Sequence, residues 1–422
     1  IGAPYNSGNG TNSGHVRVFE WNSSAWTQVG RDIDGEAVGD QSGVTVSLSS
    51  DGARVAIGAP YNDDNGSTSG SVRVYDWNGT AWAQVGGDID GEAINDASAR
   101  AVSLSGNGVR VAIGASWNGA GGTSSGHVRV YELSGNNWMK LGADIDGEAA
   151  SDNSGSSVSL SSDGMRVAIG AYGINSYSGH VRVYDWDNTN IVWAQVGGDI
   201  DGEASNDRSG SSVSLSGDGT RVAIGAPYNS GNGTNSGHVR VYELGGNNWT
   251  QLVSDINGEA ASDLSGESVS LSSDGTRVAI GSIYNDGNGS NSGHARVYLN
   301  VSRPSAPSAP TATSGNGQAT VTWSKPADGG STITGYTVTS SPDGQTCSTN
   351  DADTLSCVVT SLTNGTAYTF TVTATNDVGT STSSSASNSV TPVTTPSAPS
   401  APAATSGNGQ ATVTWSKPAD GG

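Results

Sequence analysis

Residues 154–184, SGSSVSLSSDGMRVAIGAYGINSYSGHVRVY, read as two strand-forming runs around a tight turn, then a polar loop, then a third run, and most of this text recurs along the chain. The string RVAIG begins at Arg54, Arg110, Arg166, Arg221 and Arg277, at steps of 56, 56, 55 and 56 residues, and the chain opens inside a further copy with IGAPYN at Ile1. Self-similarity at that period marks a repeat architecture, in which each unit must bury its faces against its neighbours.

One period shows what the unit is. In residues 44–49, VTVSLS, apolar and polar side chains alternate, and Ser50-Asp51-Gly52 supplies a turn whose Gly tolerates positive φ. RVAIGAP returns from Arg54 and ends where Pro60 cannot donate to a ladder. After the polar loop YNDDNGSTSG, SVRVYDW from Ser71 to Trp77 makes a third strand, Asn78-Gly79 reverses it, and AWAQVGGDI from Ala81 to Ile89 makes a fourth. DIDGEAINDAS then leads to the next unit. A four-stranded meander of this kind stacks most economically around an axis, so the expectation is an all-β fold, a β-propeller of ~56-residue blades, incomplete at the N-terminus. A parallel β-helix is the competitor, and its coils are much shorter.

The composition agrees with this reading. Only 33% of the 422 residues are hydrophobic, but they lie in short alternating runs between Gly, Asn, Asp and Ser clusters. The net charge is −21, and residues 1–303 hold 33 acidic and 16 basic side chains. Such a surface repels phosphate backbones, so nucleic acid is not expected as a partner, and no apolar run reaches the ~20 residues of a membrane helix. From Arg303 the text becomes RPSAPSAPTATSGNGQATVTW, a linker into a new pattern. Residues 305–330 reappear as 397–422 with Thr311 replaced by Ala403. The domains expected are 1–302, five full repeats plus a partial N-terminal one; 303–393; and 394–422, a linker with the truncated start of a second copy. Cys347 and Cys357 enclose an 11-residue loop with no flanking His. The expectation is a disulfide, formed in an oxidising compartment, against free buried thiols.

The strand texts SGxSVSLSxDG, AIGAPYN and GHVRVY resemble the FG-GAP repeats of the integrin α-chain N-terminal propeller and its relatives. Ser42-Gly43, Ser154-Gly155, Ser209-Gly210 and Ser265-Gly266 stand where that family usually has Phe-Gly, and Gly58-Ala59-Pro60 and Gly225-Ala226-Pro227 are the GAP element. The resemblance covers residues 1 to about 300 and implies a ring of about seven blades, so further blades are expected upstream. Residues 304 to about 393 resemble a fibronectin type III domain: Trp323 in ATVTW, Tyr336 in ITGYTVT, and Leu362 followed by Tyr368 as in a tyrosine corner. Val321, Trp323, Tyr336, Val338, Leu362, Phe370 and Val372 are its expected core.

The acidic connections carry the candidate chemistry. Carboxylates fall at relative positions 1, 3, 5 and 9: Asp32, Asp34, Glu36, Asp40; Asp88, Asp90, Glu92, Asp96; Asp144, Asp146, Glu148, Asp152; Asp199, Asp201, Glu203, Asp207; and Asp255, Glu259, Asp263 with Asn257 third. Oxygens at alternating positions of a loop are one way to supply the six to eight ligands of Ca²⁺, so one calcium site per blade is one expectation. In the family the calcium loop is the turn between the first two strands, which here has shrunk to SSDG. The structural alternative has the first Asp and the Gly shaping a turn, the last Asp accepting backbone N–H bonds, and the Glu facing solvent.

Residues that repeat in every unit are expected to serve the repeat. His15, His127, His180, His238 and His294 share one slot, and eleven of the sixteen basic residues recur within the second and third strands, which reads as packing and inter-blade salt bridges rather than catalysis. Trp21 with Trp26, Trp77 with Trp82 and Trp186 with Trp193 flank a hairpin turn as cross-strand pairs. Tyr5, Tyr61, Trp117 and Tyr228 open the long loops and are the candidates for stacking on a ligand. These loops and the acidic connections are expected on one face. The function expected is non-enzymatic: an extracellular or cell-surface adhesion or binding protein, with the propeller face as the platform for a protein or glycan and the fibronectin modules as spacers. The alternative is a carbohydrate-associated accessory region of a larger secreted polysaccharide-active enzyme.

Overall fold

Alternation in VSLS and the β-branched run RVAIGA pair as Ser157–Leu160 with Arg166–Ala171. The turn between them is held by Asp163, whose Oδ1 accepts from Ser161 Oγ at 2.6 Å and from the Met165 N–H at 2.9 Å, while Gly164 takes φ 69°. His180–Asp187 adds a third antiparallel strand. The fourth is split. Val192–Gln195 pairs with the outer half of the third strand, the chain kinks, and Ile200–Asp201 returns to pair with His180 and Val181. The stretch expected as one strand followed by a connection is thus divided, and the first residues of the acidic connection belong to the sheet.

The computed structural model describes residues 1–299 and 301–419, and the chain divides into two compact units, Ile1–Asn300 and Val301–Gly422. In the first unit this sheet plan holds in blade 2 (residues 45–90), blade 3 (101–146), blade 4 (157–201) and blade 5 (212–257). Residues 1–34 form a partial blade 1, and Ser265–Leu271, Arg277–Ser282 and His294–Leu299 form a three-stranded blade 6. The expected five full repeats are therefore four among the described residues, because the text after Leu299 runs into the RPSAPSAP linker and offers no Trp-x-Gln run for a fourth strand.

The hydrophobic cores lie between blades. Ala112, Val128, Val130 and Ile145 of blade 3 pack on Val158, Leu160, Val167, Ile169 and Tyr184 of blade 4, and the same pattern joins the other neighbours. The first strands lie next to one another in succession: the Leu104, Leu160, Leu215 and Leu271 N–H groups donate to Ser47, Ser103, Ser159 and Ser214 Oγ of the preceding blade, each at 2.9 Å. Sheets whose innermost strands meet in order, with cores shared between consecutive copies, are the blades of a propeller rather than the coils of a linear β-helix.

In the second unit, seven strands form two sheets. Thr311–Ser314, Ala319–Thr322 and Ser356–Val359 face Thr346–Thr349, Gly335–Ser341, Thr369–Asn376 and Gly379–Thr380. All seven expected core residues are buried in one cluster. The buried Tyr368 hydroxyl accepts from the Thr363 N–H at 3.0 Å and donates to Asp343 Oδ2 at 2.7 Å, completing the tyrosine corner. Cys347 and Cys357 are joined as a disulfide that links one sheet to the other, with Cα atoms 6.1 Å apart. Beyond them, Ala403–Gly407 and Gln410–Thr414 make a lone hairpin with every residue exposed.

Candidate functional site

The four positions of each acidic connection go to four different tasks. The first Asp accepts from the residue four before it: Gln28 to Asp32, Gln84 to Asp88, Lys140 to Asp144, Gln195 to Asp199 and Gln251 to Asp255, at 2.6–2.7 Å. At the second position the backbone carbonyl is used. Asp34, Asp90, Asp146, Asp201 and Asn257 accept from Arg73, Arg129, Arg182, Arg240 and Arg296 of the following blade's third strand.

The Glu at the third acidic place does not simply face solvent. Glu36, Glu92, Glu148, Glu203 and Glu259 pair with those same arginines at 3.1–3.8 Å. The last Asp is buried in every copy: Asp40, Asp96, Asp152, Asp207 and Asp263 accept the N–H three residues back. Asp96, Asp207 and Asp263 also accept from Asn118, Asn229 and Asn285 in the long loop at 2.9–3.0 Å. This pairing, with Asn65 Nδ2 on the Gly91 carbonyl at 2.7 Å, puts loops and connections on one face as expected.

The four carboxylates of one connection therefore do not converge on a point. Among the described residues the groupings with metal-ligand spacing cross between connections: Glu92, His127 and Asp144; Glu148, His180 and Asp199; Glu203, His238 and Asp255; and Glu36, Asp64 and Asp88. The repeated arginines behave as the repeat demands. Arg166, for example, takes Asp185 of its own blade at 2.5 and 2.7 Å and the Gly219 carbonyl of the next at 2.8 Å. Burial holds His127, His180 and His238 below the ordinary imidazole range, with the neighbouring arginine acting in the same direction.

A cavity of about 350 Å³ opens where four successive blades meet, lined by Arg100, Trp117, Tyr172, Arg208, Tyr228 and Glu267 among others. The Arg100 guanidinium lies 4.3 Å from the Trp117 ring centre and that of Arg208 4.1 Å from the Tyr228 ring centre. Two of the four aromatic candidates, Trp117 and Tyr228, thus come together, whereas Tyr5 and Tyr61 do not line this cavity. The arginines were missed by reading the repeat for its regularity. Their signal is that they occupy slots the repeat leaves variable: Arg100 stands where other copies have Val44, Ser156, Ser211 and Glu267, and Arg208 where they have Gln41, Ala97, Asn153 and Leu264.

The first unit is a β-propeller-type repeat protein and the second a β-sandwich. Family models agree on both: the FG-GAP repeat matches residues 26–75, 200–242 and 256–298, and the fibronectin type III domain matches 303–390. The chain is built from FG-GAP repeats followed by a fibronectin type III domain, the modules of repeat and adhesion-type proteins. These modules and the disulfide are typical of extracellular proteins, and no helix among the described residues is long and apolar enough to cross a membrane.

Among solved structures the chain is similar to titin kinase and its flanking domains (28% identity, 21% of this chain and 17% of that chain, TM-score 0.19). It is also similar to a myokine structure (25%, 21% and 98%, TM-score 0.19) and to the twitchin kinase region from C. elegans (23%, 21% and 17%, TM-score 0.19). The match spans less than a fifth of the first of these. No curated protein matches.

Proposed function

We propose that the propeller unit is the binding module of a non-enzymatic extracellular repeat protein, and that its ligand seat is the cavity between Arg100 and Arg208. One observation carries this reading: in a chain of net charge −21, two arginines outside the recurring arginine positions stack on aromatic rings in one concave site. Stacking on an aromatic face orients a guanidinium, whose planar fork suits bidentate contact with a carboxylate, and Glu267 in the same cavity already interacts electrostatically with Arg208. Trp117, Tyr172 and Tyr228 supply apolar faces beside it, as ligand sites with a few convergent polar groups do. The ligand class that fits is a glycan bearing carboxylate groups, such as a uronic-acid polymer, and the fibronectin domain serves as a spacer.

The test is a glycan array of the whole chain with neutral, sulfated and uronic-acid sugars. Preferential binding of uronic-acid sugars, reduced at least tenfold in Arg208→Ala and in Arg100→Ala, is the expected result. Binding that both variants leave intact, or a preference for neutral sugars, would exclude this seat.

A further inference from the structure

Two junctions between blades hold a buried imidazole between carboxylates that come from different connections. Glu148 lies in the connection entering blade 4, His180 opens that blade's third strand, and Asp199 opens the connection leaving it. One ligand atom of each lies within 4.8 Å of the others, and Glu203, His238 and Asp255 repeat the arrangement one blade on. His180 is 1% exposed, and neither of its ring nitrogens has a hydrogen-bond partner. Its Nδ1 is 3.7 Å from Asp199 Oδ2, too far for a hydrogen bond. Burying an imidazole with both nitrogens unpaired is costly unless another group uses a lone pair.

In blade 3 a cation already stands at the corresponding carboxylates, while neither ring nitrogen of His127 has a hydrogen-bond partner there either. This blade has the same three residues, Glu92, His127 and Asp144, but Lys140 stands where blades 4 and 5 have Gln195 and Gln251. Its ammonium lies 2.6 Å from Asp144 Oδ1 and 3.9 Å from Glu92 Oε1, a covalently tethered cation between the two carboxylates. In blades 4 and 5 the glutamine amide reaches Asp199 and Asp255 at 2.7 Å and brings no charge. The neighbouring arginine does not use up the glutamate. In blade 5, Arg240 faces Glu203 Oε1 at 3.8 Å while Oε2 faces His238 Nδ1 at 3.8 Å.

We propose that Glu148, His180 and Asp199, and likewise Glu203, His238 and Asp255, each bind a divalent cation of the Zn²⁺ class through one imidazole nitrogen and two carboxylate oxygens. Three mixed nitrogen and oxygen donors suit a borderline transition metal, with water completing the shell, and fall short of the six to eight oxygens Ca²⁺ requires. Each ion joins the connection before a blade to the strand and connection within it. Arg182 and Arg240 beside the sites oppose the ion's charge, so affinity is expected below that of a closed Cys and His site.

The whole chain, stripped of metal, is dialysed against Zn²⁺ with Ca²⁺ in excess, and bound metal is counted by elemental analysis. Two Zn²⁺ per chain are expected, falling by one in His180→Gln, by one in His238→Gln, and rising to three in Lys140→Gln. Lys140 is exposed, so this last variant reads independently of whether the histidine variants fold. A count indifferent to both histidines, a count unchanged in Lys140→Gln, or displacement of the bound Zn²⁺ by Ca²⁺ would each overturn the proposal.

Discussion

The indole N–H of Trp249 in blade 5 donates to the carbonyl of Val196 in blade 4 at 2.9 Å. Trp82 to Val29, Trp138 to Val85 and Trp193 to Leu141 make the same bond at 2.9–3.0 Å. The accepting carbonyl precedes the kink that splits each fourth strand. Gly197, at φ 74°, lies so close beneath Trp249 that a Cβ there would sit 2.9 Å from the indole. The kink is thus shaped by the neighbouring blade's tryptophan as well as by its own glycine.

Replacing Trp249 with Phe keeps most of the apolar area and removes this one bond. We expect a loss of about 1–2 kcal/mol, the net value of a hydrogen bond plus the unpaired carbonyl. Urea unfolding of the wild type and variant measures it, and equal midpoints would show that the bond contributes nothing.

Arg166 ties its own Asp185 to the Gly219 carbonyl of the next blade, and its side chain is largely buried while the carboxylate is half exposed. Arg166→Met is expected to destabilise by about 1–3 kcal/mol, less than a fully buried pair because water can reach Asp185. A double-mutant cycle with Asp185→Asn should give a coupling energy clearly above zero.

The acidic positions should differ in effect. Asp207 is 4% exposed and accepts from the Ala204 N–H and Asn229, so Asp207→Ala leaves buried donors unpaired and should cost about 1–3 kcal/mol. Asp32, exposed, accepting from Gln28 and lying near His15 and Arg17, should cost less than about 1 kcal/mol. Because the first, third and last carboxylates of a connection are held by separate partners, added Ca²⁺ is expected to leave the melting temperature unchanged. A rise of several degrees would restore the connections as calcium loops.

His127 carries a pH signature. Burial, helped by Arg129, lowers its pKa, while Asp144, Glu92 and Asp96 oppose the shift only in part. With the folded value below the unfolded one, the unfolded chain binds more protons once pH falls below about 6.5, so stability declines with falling pH from there down to the folded value. Melting temperatures across that window should fall, and fall less in His127→Gln. An identical slope in the variant would place the effect elsewhere.

The disulfide between Cys347 and Cys357 closes a short loop. Cys347→Ser with Cys357→Ser should lower the stability of the fibronectin unit by about 2–3 kcal/mol. Calorimetry should show its transition shifted while that of the propeller unit stays in place. If both transitions moved together, the two units would not be independent.

Much of this was legible in the chain itself. The period located every second strand, alternation picked out the buried face, and the fibronectin core from Val321 to Val372 was named residue by residue, because side-chain direction along a strand follows local geometry. The split fourth strand was not legible, since its kink depends on an indole about fifty residues away. Nor was the cavity, whose arginines stand out only once the regular positions around them are known.

One repeated text makes the division plain. Residues 305–330 and 397–422 are the same but for one position, yet Trp323 is 7% exposed and Trp415 64%. Local sequence determined that each copy forms a hairpin with a tryptophan just after its second strand. Only the tertiary structure buries the Trp323 ring, because burial requires a second sheet to pack on, which Gly335–Ser341 and Thr369–Asn376 supply. The propeller obeys the same physics: a blade's text determines its strands and turns, while its core, its ion pairs and its candidate sites lie between blades and exist only once copies are set side by side.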